Sequence, residues 1–260
     1  MADKGEDAAE PKAFIISISL IASAEVMTYF VNPGYGLFVH SSLLIILLVL
    51  SSLSHESNPG SDIFLALSLA PLLRIVSLSL PLTSLPKYTW HSISGAIMLA
   101  AAAALMRVQG LSLRDVGLTF NSPLVQLALG FMGVPLGVLE YLILRPEPLA
   151  QELSPAGLVL LALALILFTG FVEELVFRGI MQGIAVKVMG WEAGLLGVNT
   201  IFTSLHIGWL SALDMIFVLL VGLIFGYIVL KTGSIIGASI SHGLTNVALF
   251  IIVPLLWKSL

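Results

Sequence analysis

The 260-residue chain has no cysteine, so disulfides, thiolate metal ligands and a cysteine nucleophile are excluded together. Charge is nearly as scarce. Only 10% of residues are Asp, Glu, Lys or Arg and the net charge is −4, which leaves no basic surface for nucleic acid. No repeat of 20 to 50 residues is visible, and the alanine run Ala100 to Ala104 is the one low-complexity tract. There is no HExxH motif, which would give zinc two histidines and a glutamate base from one helical face. The opening stretch Met1 to Lys12 is too acidic for the basic region of a signal peptide. It reads as a short disordered cytoplasmic tail, so the first apolar segment is expected to stay in the mature protein.

What the chain has is apolar length. Hydrophobic residues make up 58% of it and mean hydropathy is +1.07, well outside the range of a soluble domain. A helix needs about 20 apolar residues to cross a hydrocarbon core of about 30 Å. The sequence therefore predicts an all-α, polytopic transmembrane bundle of eight or nine helices, an integral multi-pass protein in a lipid bilayer. The apolar segments fall at about 13 to 31, 37 to 53, 63 to 82, 90 to 107, 123 to 144, 156 to 177, 193 to 208, 213 to 230 and 235 to 256. Proline and glycine clusters such as Asn32-Pro33-Gly34 and Arg145-Pro146-Glu147-Pro148 mark the exits. Gly110 to Asn121 mixes Leu111, Leu113, Val116 and Leu118 with Arg114 and Asp115; it is too short and polar to cross and is expected to lie along an interface. The resulting division is tail 1–12, peripheral helices 13–109, amphipathic interfacial segment 110–122 and a cavity-containing core 123–260. Lysine and arginine are more frequent in alternate loops in the pattern that puts the N-terminus in the cytoplasm.

Against this background Glu173, Glu174 and Arg178 stand out, because a charge near the bilayer centre costs roughly 2.5 to 3.5 kcal/mol on insertion scales and usually faces a protein-lined cavity. Glu174 and Arg178 are four apart, one turn along a single face, so they are expected to pair; Glu173, about 100° around the helix, is then free to point into a cavity. His242 and Asn246 share that spacing, as do Phe202 and His206. Packed together, these helices would bring a carboxylate, two imidazoles and an amide to one polar chamber. In it Glu173 could take a proton from water, His206 could orient that water, and His242 with Asn246 could stabilise an oxyanion. Glu173, Glu174, His206 and His242 are also potential zinc ligands, so zinc chemistry stays open beside a mechanism that requires no cofactor. Of the other polar residues, His40, His55 and His91 lie near span ends and read as interfacial, Glu140 as the cap of a span end, Asp214 as the start of a helix, and Glu25 as a second polar position facing the bundle.

The strings EELVFRG, FTSLH and HGLTN match the patterns EExxxR, FxxxH and HxxxN in the order found in the CPBP (Abi) family, which includes the type II CAAX prenyl endopeptidases. The chain resembles that family from about Phe171 to Asn246, and GLSLRDVGL is similar to the segment that precedes the family's core; the first 105 residues carry no such likeness. The resemblance implies an intramembrane glutamate-type protease acting on a membrane-associated or lipidated peptide or protein near the membrane surface. Glu173 and His206 would activate water, His242 and Asn246 would hold the oxyanion, and Glu174 and Arg178 would support them. The same fold also serves as non-catalytic scaffold or bacteriocin-immunity protein, which is the alternative reading. A third class, a transporter with Glu173 and Glu174 as proton relay, would call for inverted repeats and broken helices, and the sequence shows neither.

Overall fold

The computed structural model of the protein describes residues 9–54, 63–79, 85–149 and 153–258. Among them are nine helices and no strand: α1 Ala9–Phe30, α2 Pro33–Ser54, α3 Ile63–Ser79, α4 Lys87–Val108, α5 Pro123–Leu144, α6 Pro155–Met189, α7 Trp191–Ser204, α8 Ala212–Thr232 and α9 Ile236–Trp257. Each corresponds to one apolar segment of the sequence. Seven are long and apolar enough to cross a membrane; α3, at 17 residues or fewer, and α7, at 14, are shorter. The chain is a multi-pass integral membrane protein. Of the expected tail, residues 1–8 lie outside the described residues, and residues 9–12 already belong to α1.

Helix starts follow local chemistry. Proline opens α2, α5 and α6, where its missing N–H is one the first turn would leave unpaired anyway. Ser154 caps α6 by accepting from Gly157 N, and Ser211 caps α8 by accepting from Asp214 N. Gly190, at φ 83°, takes a positive-φ conformation that glycine adopts without steric cost, and so ends α6 and lets α7 begin at once.

α9 packs along α5 on one side and α6 on the other, while α1, α2, α3, α4, α6 and α7 pack on one another in that order around a closed ring. The α6–α9 approach is set by glycine. A Cβ on Gly170 would lie 2.4 Å from Gly243 N, and one on Gly243 would lie 2.7 Å from Ile166 Cα, so these backbones touch where Glu173 and His242 are carried. Gly133 and Gly137 of α5 do the same against the carbonyls of Ser241 and Thr245. The GxxxG spacings behave unevenly: Gly222 and Gly226 are both crowded, by Asn199 and Gln182, and Gly179 by Val116 O, but a Cβ on Gly183 would meet nothing nearer than Asp115 O at 3.8 Å.

Residues 111–122 form turns and irregular chain rather than a helix. They are strapped to the α8–α9 turn by Ile235 N→Gly117 O (2.9 Å), Thr119 Oγ1→Gly233 O (2.8 Å) and Ser234 Oγ→Thr119 O (2.6 Å). Within the strap the Ser112 hydroxyl and N–H both donate to Asp115, holding its exposed carboxyl below the usual carboxylate range.

Candidate active site

α6 carries three of the six candidate residues. It does not keep a uniform helical pitch: the hydrogen bonding widens to π type over Leu165–Phe171 and again over Leu175–Gln182, on either side of Val172–Glu174. Such widened turns recur at functional sites, and nothing in the residue pattern of α6 announced them. The i,i+4 pair survives the change of pitch. Glu174 Oε1 accepts from Arg178 Nη1 at 3.0 Å, with both side chains buried. The Arg178 guanidinium also lies 4.2 Å over the Phe202 ring, a cation–π contact that ties α6 to α7. Glu173 takes the other direction; its side chain is 27% exposed and reaches a cavity.

α9 brings His242 between the two acids. Its Nδ1 is 3.0 Å from Glu174 Oε1 and its Nε2 is 3.8 Å from Glu173 Oε2. One turn on, Asn246 Nδ2 donates to Thr169 Oγ1 of α6 at 2.9 Å, and that hydroxyl donates to Leu165 O. Both α9 groups therefore face α6. Glu174 is the hub, its one oxygen shared by Arg178 and His242.

His206 lies just past the end of α7, on the turn leading to the 3-10 segment Ile207–Trp209. Its Nδ1 is 2.9 Å from the Phe202 carbonyl. A carbonyl only accepts, so Nδ1 carries the proton there and Nε2 is the ring atom open to a further partner.

Two cavities meet at this turn. The larger, about 270 Å³, is lined by Glu173, His206, Thr169, Trp209 and Phe202, with Arg74 and Ser77 from α3 and His91 and Ser94 from α4. The smaller, about 50 Å³, is lined by Glu174, Arg178, His206, His242, Asn246 and Glu140. Phe202 and His206 line both. The six candidates thus converge, but on two adjoining chambers rather than one, joined by the Glu173–His242 approach and by the His206 ring.

Several other polar residues sit elsewhere than the sequence suggests. Glu140 caps nothing; it is buried in the second half of α5 and faces the smaller cavity. His40 is fully buried rather than interfacial, its Nε2 3.0 Å from Glu25 Oε1. His91 lines the larger cavity, its ring 6.0 Å from Phe250. Asp214 does lie in the first turn of α8, fully buried, and its carboxylate oxygens have no hydrogen-bond partner among the described residues. Glu25 faces the bundle and accepts from Arg74 Nε at 2.7 Å. His55 lies outside the described residues. Sequence spacing missed Thr169 and Arg74 as members of the site. Thr169 had a signal, one turn before Glu173 on its face, and so did Arg74, the one arginine inside an early span, with Glu25 as the matching acid.

The Glu174 oxygen nearest His242 is already engaged by a guanidinium and an imidazole, His206 Nδ1 is committed to a carbonyl, and among the described residues no group of three or more His, Asp or Glu side chains is placed to hold a metal.

Residues 155–248, from the start of α6 into α9, match the family model described as type II CAAX prenyl endopeptidase Rce1-like. That match relates the chain to the CAAX-protease-related CPBP family, and all six candidate residues fall within it. No curated protein and no solved structure matches the chain.

Proposed function

We propose, with that relationship as the premise, that the protein is an intramembrane endopeptidase that hydrolyses a peptide bond of a membrane-associated, lipidated substrate near the membrane surface, with Glu173 activating the water. The observation that carries the reading is that Glu173 on α6 and His206, just past the end of α7, line one cavity of about 270 Å³. Lysine and arginine in the loops favour a cytoplasmic N-terminus.

The step balances without a covalent intermediate. The Glu173 carboxylate takes one proton from water while His206 Nε2 orients it, and the water oxygen bonds to the scissile carbonyl carbon, whose π electrons move to oxygen. The alkoxide is held by the second N–H of the Asn246 amide and by the imidazole of His242, which line the smaller chamber and act across its junction with the larger one beside Phe202 and His206. Collapse breaks the C–N bond, and the departing amine takes the proton back from Glu173. With His242 protonated, two carboxylates, one guanidinium and one imidazolium leave the cluster without net charge, the arrangement a low-dielectric site tolerates best. Glu174 and Arg178 hold His242 in place and touch no reacting atom.

Reconstituted in liposomes with a prenylated peptide, the protein is expected to release the C-terminal fragment. Glu173→Gln should lower the rate by at least about 10²-fold with Tm unchanged; cleavage at the wild-type rate by that variant would refute the assignment. One observation favours a scaffold instead: the Asn246 amide is engaged in an interhelical bond to Thr169, as in a packing network. On that reading Glu173→Gln leaves the cellular phenotype intact.

A further inference from the structure

A second buried charge cluster lies wholly outside the matched residues 155–248. Glu25 of α1 accepts from Arg74 Nε of α3 at 2.7 Å, and His40 Nε2 of α2 lies 3.0 Å from the same oxygen. Arg74 Nη1 donates to the Tyr29 hydroxyl at 3.0 Å, and Nη2 donates to the carbonyl of Leu205 at 2.7 Å. Three of the arginine's N–H groups are thus spent, the last on the residue that immediately precedes His206.

That carbonyl needs a partner. Leu205 sits at the C-terminal end of α7, where the last carbonyls of a helix have no intrahelical donor. The chain then runs through His206 N→Thr203 O, Trp209 N→His206 O and a left-handed Leu210 at φ 52° before α8 begins. A turn of this kind has only one short 3-10 ladder of its own, so its position relative to the neighbouring helices is set by what packs on it. Tyr29 supplies a second clamp: a Cβ on Gly208 would lie 2.5 Å from Tyr29 Cζ, so the phenol ring rests on the backbone of the turn. Glu25, Tyr29 and Arg74 hold the turn at two backbone points on either side of His206. A guanidinium and a carboxylate buried between two apolar helices are costly to keep; an apolar pair could pack α1 against α3, but it could not donate to Leu205 O.

We propose that Arg74, anchored by Glu25 and Tyr29, is a positioning residue that sets His206 relative to Glu173, so that the helices preceding the matched segment complete the site. The proposal rests on the reading of His206 as the group that orients water. Displacements near 1 Å from a reacting geometry cost about 10²-fold in rate. Arg74→Met is therefore expected to lower kcat about 10- to 100-fold with KM within about twofold, and Arg74→Lys, which keeps the charge but replaces the planar fork with a single ammonium, should fall between.

The deciding measurement does not need activity. In protein carrying 15N-histidine, with the His206 ring signals assigned by their loss in His206→Gln, Arg74→Met should shift or broaden those signals and leave those of His242 in place. Gly208→Ala, which drives a methyl group against Tyr29, should shift them too, and serves if Arg74→Met does not fold. Unchanged His206 signals in a folded variant, or a raised KM at unchanged kcat, would overturn the proposal. If the wild-type protein cleaves nothing, the protease reading falls while the ring signals still decide the positioning role.

Discussion

Glu173 and Glu174 are identical and adjacent, yet their surroundings give them opposite duties. A rotation of about 100° puts one carboxylate into a cavity and the other against a guanidinium and an imidazole. Glu174→Gln leaves Arg178 buried without a counter-charge, so it should destabilise the protein by about 3 to 5 kcal/mol, read as a lowered Tm in detergent. The double variant Glu174→Gln with Arg178→Met should recover part of that loss, since the orphaned charge is gone. At this scale the sequence was partly legible. The Glu174–Arg178 pair follows from helical spacing alone, because both ends ride on one helix. The bonds from His242 to Glu174 and from Asn246 to Thr169 could not be read, since they join residues 68 and 77 positions apart across an interface that no spacing rule describes. His40 was misread for the same reason: its partner Glu25 is on another helix, and proximity to a span end was the only local clue.

Among elements, the decisive contact is α6 on α9. Gly170 and Gly243 allow their backbones to meet, and the side chains of Glu173, Glu174, His242 and Asn246 project from the flanks of that contact. Gly170→Ala places a methyl group where Gly243 N already sits; overpacking of this kind typically costs about 1 to 3 kcal/mol. We expect a lower Tm together with a fall in kcat, because the two helices that carry acid and imidazole are forced apart; a kcat at the wild-type level would mean that the approach serves packing alone. All nine helices were visible as apolar runs, since length and hydropathy dictate what enters a bilayer. The widened turns of α6 were not visible, because π and α hydrogen bonding place the same residues in one continuous helix. Nor was the strap at 111–122, whose amphipathic composition suggested a surface segment while its bonds to Gly233, Ser234 and Ile235 depend on tertiary placement.

Taken whole, the molecule builds the larger of the two site cavities from both halves of the chain: α3 and α4 contribute Arg74, Ser77, His91 and Ser94 to the same walls as Glu173 and His206. Since among the described residues no three acid or imidazole side chains are placed to hold one metal ion, cleavage by purified protein is expected to persist after dialysis against a strong chelator. Loss of activity under chelation, restored by zinc, would assign the water's activation to a metal instead.

Phe202 touches nearly everything in this region: its ring centroid lies 4.8 Å from that of His206, 5.0 Å from Phe177 and 6.1 Å from His242, with the guanidinium of Arg178 above its face. It is a septum of hydrocarbon set beside an imidazole. Because the same ring borders both chambers, a smaller side chain at position 202 would merge them into a single hollow.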